Sequence, residues 1–136
     1  GPRLIEINSR MGGGQVRDTH LLSHGVDLVE ETLFACVGIP SRPFVEPKIK
    51  PLAYSYITST RSGRIGNLKN ALSRLVELEG VVYAKALVPD GSIIVGDEIG
   101  LPTWIGDVMV SADTPQEALQ HVLELVEGLD VPALLD

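Results

Sequence analysis

Apolar and polar residues alternate from Leu4 to Arg10. In an extended chain Ile5 and Ile7 point one way, and Glu6, Asn8 and Arg10 point the other. The pattern predicts a strand with one covered face, running straight into Gly12, Gly13 and Gly14. Beyond the glycines, Gln15–Ser23 reads as a short helix carrying Arg17, Asp18 and His20 in its first turns, with Gly25 just past its end. Asp27 is a fitting N-cap for a second helix that runs to about Val37. Its expected buried stripe is Val26, Val29, Leu33 and Val37. Gly38 and Pro40 then stop it.

Four prolines, Pro40, Pro43, Pro47 and Pro51, mark an irregular but ordered connector, and a boundary is expected near residue 50. The second half reads strand, helix, strand, strand, strand, helix. Leu52–Ser59 is rich in β-formers, and Thr60–Arg64 is a turn whose Arg61 and Arg64 could face an anion, a solvated loop being the preferred reading. A helix is expected over Asn67–Leu78, with Leu68, Ala71, Leu72, Leu75 and Val76 on one face and Gly80 at its end. Val81–Val88 and Ser92–Asp97 flank Pro89-Asp90-Gly91, which signals a hairpin. Trp104–Ser111 is a further strand. Thr114-Pro115-Gln116-Glu117 has the order of a capping box with Pro at the first helical position, and the stripe behind it is Ala118, Val122, Leu125 and Leu129. Hairpin-linked strands with helices beside them make the class α+β, with a mostly antiparallel sheet. The chain shows no internal repeat, heptad run or low-complexity tract.

Composition narrows the function. The chain has 136 residues, enough for a real core, and with aromatics at 4% that core must be aliphatic. A net charge of −7 argues against nucleic acid as a partner, because such binding rests on phosphate neutralisation. No apolar run approaches the ~20 residues that would span a bilayer, so no membrane partner is expected. Cys36 is alone and permits no internal disulfide; it falls in an apolar helical stretch and is expected to be a buried thiol. One cysteine and no signal peptide suit a cytoplasmic setting. His20 and His24 have a metal-compatible spacing, but no third ligand lies nearby.

The chemistry concentrates at the N-terminal stretch. Glu6 and Asn8 offer hard oxygen donors of the kind Mg²⁺ takes alongside substrate phosphates. Arg10 is a planar fork suited to a phosphoryl group or carboxylate. The N–H groups of Gly12, Gly13 and Gly14 can cradle an anion. Arg17, just past the turn, can hold a substrate carboxylate, and a solvated helix charge is the equally weighted alternative. On spacing alone, an edge strand with a polar face is as good a reading as a metal–phosphate corner.

Ile5-Glu6-Ile7-Asn8-Ser9-Arg10 with Gly12-Gly13-Gly14 resembles the C-terminal signature of the ATP-grasp ligases, closest to the branch containing carnosine synthase and the bacterial L-amino acid ligases. Gly25–Glu31 and Ala35–Pro40 resemble the helix that follows that signature, and Ile105–Val110 with the Thr114–Ala118 helix start resembles the last strand and helix. The resemblance implies residues 1–50 as the C-terminal end of an ATP-grasp core and 51–136 as a C-terminal α+β lobe. It implies ATP and Mg²⁺ (or Mn²⁺) as cofactors and amino acids as substrates. It assigns Glu6 and Asn8 to metal, Arg10 to catalysis, and Gly12, Gly13, Gly14, Arg17 and His20 to substrate or phosphate. The implied reaction joins a carboxylate to an amine through an acyl phosphate, giving a dipeptide. The segments that clamp the nucleotide in that family precede the signature. The chain is therefore expected to be a C-terminal portion, inactive without the missing N-terminal lobes, and open to homo-oligomerisation. A biotin carboxylase-like ligase piece, a non-catalytic lobe packing on a partner chain, and a small-molecule sensor are the alternatives.

Overall fold

The computed structural model describes residues 1–45 and 50–136; Pro47 of the expected connector lies outside them. The chain divides into two units, Gly1–Ile49 and Lys50–Asp136.

In the first unit, residues 1–9 join no sheet. The strand expected over Leu4–Arg10 is not formed, and Ile5 and Ile7 are 95% and 83% exposed rather than covered. A strand is held by a neighbour's backbone, and among the described residues none pairs with this segment. Two helices follow, α1 (Val16–His24) and α2 (Leu28–Cys36). Gly25 closes α1 in the left-handed region at φ 72°, its N–H donating to the Leu21 carbonyl at 3.0 Å. Asp27 caps α2 by accepting from the Val29 N–H at 2.9 Å. The caps lie where the residues predict them, but the buried stripe does not. Val26 alone of its four members is buried, while Val29, Leu33 and Val37 are exposed, as is Cys36, which was expected inside. Two short helices share one face and leave the others open.

The second unit is α+β with an antiparallel sheet. Its main sheet has the order β1 (Leu52–Ile57), β5 (Gly106–Ser111), β3 (Val81–Ala86), with β5 central. The helices α3 (Leu68–Leu75) and α4 (Pro115–Gly128) pack against it, α3 on β3 and α4 on β1 and β5. Between them lies an aliphatic core of Ile57, Leu68, Leu72, Val108, Val110, Ala118 and Val122. Each Ile, Leu or Val among them stabilises the fold by about 1.5–3 kcal/mol when buried. The capping box of α4 is formed as its sequence predicts. The Thr114 hydroxyl accepts from the Glu117 N–H at 3.2 Å, and the Glu117 carboxylate accepts from the Thr114 N–H at 3.0 Å.

Two expectations for this unit are overturned. β3 and β4 (Ile93–Ile94) are not a hairpin: β3 pairs with β5, and β4 pairs with β2 (Gly63–Arg64), inside the segment expected to be a turn. The reason lies at Asp90. Its carboxylate accepts from the Leu68 N–H at 2.7 Å and so caps α3, whose own N-cap residue Asn67 makes no side-chain cap. Arg64 is exposed, as expected of a solvated side chain, and donates to the Gly91 carbonyl at 2.6 Å. The Asp90-Gly91 turn thus carries Ile94 into the core beside Ile65 instead of folding back on β3.

Candidate functional site

The N-terminal stretch brings part of the predicted set together. Asn8 donates through Nδ2 to Glu6 Oε1 at 2.9 Å, so the two oxygen-bearing side chains stand on one side of the segment, two residues apart. Both are exposed. Arg10 lies in a bend and donates through Nη1 to the Met11 carbonyl at 3.0 Å. A Cβ on Gly12 would meet Val16 Cγ2 at 3.0 Å, so this glycine lets the turn approach the first turn of α1. Gly13 faces open space, and Gly14 has φ 61°.

Asn8, Arg10 and Gly12 line one open groove of about 420 Å³ together with Leu28, Glu31 and Ser41. Glu31, from α2, accepts the Ser41 hydroxyl at 2.5 Å. Its presence beside Arg10 was not foreseen. Twenty-one positions separate the two, and only the fold of α2 brings them to one groove. The groove therefore offers a guanidinium, an amide and a carboxylate around a space the size of a small polar ligand. Glu6 is not among its walls and reaches it only through Asn8.

Arg17 and His20 lie elsewhere on α1. Arg17 donates through Nε to Asp27 Oδ1 at 3.0 Å and through Nη2 to Oδ2 at 2.5 Å, a two-pronged ion pair. The guanidinium and the Val29 N–H together hold the Asp27 carboxyl at about 2, and the same pair raises Arg17. His20 Nδ1 lies 3.1 Å from the Val16 carbonyl, and its ring meets that of His24 edge-on at 5.9 Å. The structure thus gathers Asn8, Arg10 and Gly12, ties Glu6 to Asn8, and sets Arg17 and His20 apart from them.

For a divalent metal, the oxygen-bearing side chains expected at this place are Glu6 and Asn8. Among the described residues no group of three His, Cys, Asp or Glu side chains could hold a metal ion. Oxygen-only donors fit Mg²⁺, which commonly takes one or two carboxylates and fills its shell with waters and phosphates. Glu6 and Asn8 suit that pattern as part of a shell.

No protein-family model matches the chain. Three curated proteins resemble it. Over 47 residues it is 49% identical to carnosine synthase 1 of Homo sapiens, covering 32% of this chain and 6% of that protein. Over 44 residues it is 54% identical to carnosine synthase 1 of Mus musculus, covering 32% of this chain and 5% of that protein. Over 137 aligned positions it is 31% identical to carnosine synthase 1 of Gallus gallus, covering 96% of this chain and 14% of that protein. The chain is thus similar to carnosine synthase 1 along nearly its whole length, and spans 14% or less of the relatives it matches.

Proposed function

We propose that this chain is the C-terminal part of an ATP-grasp carboxylate–amine ligase of the carnosine-synthase kind, which makes a dipeptide. The observation that carries the reading is the hydrogen-bonded Glu6–Asn8 pair beside Arg10 and the glycine turn, in a chain 31% identical to an avian carnosine synthase. In the proposed reaction a substrate carboxylate accepts the γ-phosphoryl group of ATP, and the amine of a second amino acid then displaces phosphate. Mg²⁺, when bound, would neutralise charge on the phosphates.

The chain's own residues divide the work. Glu6 and Asn8 supply oxygen ligands. Arg10 places a fixed positive charge where negative charge grows on the phosphoryl oxygens. The backbone N–H groups of Gly12, Gly13 and Gly14 are donors for an oxyanion. His20 is offered to the amino-acid substrate. Arg17 is committed to Asp27 and serves as the strut between α1 and the start of α2; a substrate carboxylate there would have to displace Asp27.

A second reading rests on a different observation. Leu4, Ile5, Ile7, Leu33 and Val37 of the first unit are all exposed, at 62% or more. Such a surface suits a lobe that packs on another polypeptide. Calorimetry separates the two readings. Mg·ATP is titrated into the 136-residue chain and into the gene's full product. Binding by the full product alone supports the ligase. Binding by neither overturns it and leaves the partner-lobe reading.

A further inference from the structure

All three tyrosines and the single tryptophan of the chain sit on one face of the main sheet in the second unit. Tyr54 on β1 and Tyr83 on β3 both stand opposite Met109 of the central strand. Tyr56 and Lys85 both stand opposite Asp107. Residues directly opposite in a sheet share a face. Trp104 lies flat on Tyr56, centroids 4.2 Å apart and planes 6° apart, and Tyr54 meets Tyr56 edge-on at 6.1 Å. Lys85 sits over the Tyr83 ring at 3.9 Å. This is the face away from the helices: the core residues Ile57, Val108 and Val110 occupy the other one. Trp104 and Tyr54 remain 58% and 41% exposed.

The two edges of this sheet differ. β3 carries a register shift between Val81 and Tyr83 and presents Lys85, and bulges and lysines both discourage further pairing. β1 reads Leu-Ala-Tyr-Ser-Tyr-Ile: no charge, no proline and no break in register. The Pro51 carbonyl accepts from the Ala112 N–H at 3.2 Å, so by antiparallel alternation residues 53, 55 and 57 bond to β5. Leu52, Tyr54 and Tyr56 then turn their N–H and C=O outward. Among the described residues no strand pairs with that edge.

We infer that the outer edge of β1 is a docking site for an extended, basic peptide segment of a partner protein, added as a fourth strand beside the Tyr54–Tyr56–Trp104 ladder. Backbone pairing would give the affinity and the aromatic ladder the selectivity, since Tyr and Trp are favoured anchors and their faces attract guanidinium groups. Charge selects the occupant. Residues 50–136 hold twelve Asp and Glu against six Lys and Arg. Asp97, whose N–H donates to the Ser59 carbonyl, lies exposed past the exit of β1; at its entry Asp113 is ion-paired with Lys50 at 3.4 Å, and Glu79 and Glu117 line the same cleft and leave it net negative. A second copy of the chain would bring the same negative balance against itself. A segment with arginines flanking its apolar residues meets the opposite sign at both ends.

Trp104 is the only tryptophan, so its fluorescence reports this face alone. The 136-residue chain is titrated with an eight-residue peptide carrying two arginines at each end and alternating valine and threonine between them. A saturable change in emission is expected, weakened several-fold between about 50 and 500 mM salt. It should be lost with glutamates in place of the arginines, and lost when the peptide's backbone amides are N-methylated. Tyr54→Thr keeps the strand and the reporter, and should weaken binding severalfold. No emission change, equal binding of the glutamate or N-methylated peptide, or a concentration-dependent dimer in sedimentation that excludes the peptide would each overturn the proposal.

Discussion

Asp27 accepts the Val29 N–H and both prongs of Arg17, and its carboxyl is held at about 2. The folded value is depressed relative to an ordinary aspartate at about 3.9. The stabilisation is therefore complete above about pH 4 and is lost as pH falls from there through about 2. Because the pair is open to solvent, it is screened and its contribution is modest. A carboxyl-carbon NMR titration should give Asp27 a midpoint near 2, moving toward the ordinary value in Arg17→Gln; a midpoint near 4 in the unaltered chain would deny the pair. The cap was legible in the sequence, because an N-cap is set by residues two or three positions apart. The grip on Arg17, ten positions back, was not. At the proposed site, Glu6→Gln in the gene's full product should lower metal-dependent turnover by orders of magnitude while folding is unchanged, since Glu6 is exposed. Full activity at saturating Mg²⁺ would remove Glu6 from the ligand set. Arg10→Lys should cost roughly a hundredfold in turnover, because a point charge does not reproduce the guanidinium fork. Unchanged rates would make Arg10 a surface residue.

At the scale of elements, what was legible is again what is local. The α4 start lies within four consecutive residues, and each of its two reciprocal bonds forms. The stripes of α3 and α4 hold at Leu68, Leu72, Ala118 and Val122, because helical spacing alone decides which positions share a face. Strand pairing is another matter. Asp90-Gly91 has the chemistry of a two-residue hairpin turn, yet β4 goes to β2, and Asp90 is spent on the N-terminus of a helix twenty-two residues earlier. Nothing at Asp90 announces that use, since the αL Asn67 that leaves α3 uncapped is visible only once the chain is folded. Asp90→Ala should therefore destabilise the second unit by about 1 kcal/mol, as loss of a cap does, whereas Asp90→Asn should be nearly neutral. Urea unfolding checks this; equal midpoints for the alanine variant and the unaltered chain would mean the Leu68 N–H finds another acceptor.

Across the whole molecule, burial is unevenly shared. Of the thirteen buried apolar residues described, twelve belong to the second unit and only Val26 to the first. Local amphipathic patterning led to a covered strand face at Ile5 and Ile7 and a covered stripe on α2. What was missing was a surface to cover them, and no reading of spacing supplies one. The first unit therefore rests on helix caps and the Arg17–Asp27 pair, which contribute far less than a core. Opening of α1 and α2 should be nearly free, while β5, buried at every position from Gly106 to Val110, should open only with global unfolding. Hydrogen exchange on the 136-residue chain should accordingly show fast exchange over α1 and α2 and the slowest over β5 and α4. In the gene's full product the ligase reading requires the apolar face of the first unit to be covered, so protection of α1 and α2 should rise by orders of magnitude there. Strong protection of both helices in the short chain would show that they hold themselves without a covering surface. The exposed Ile5, Ile7, Leu33 and Val37 would then lose their meaning as a packing face.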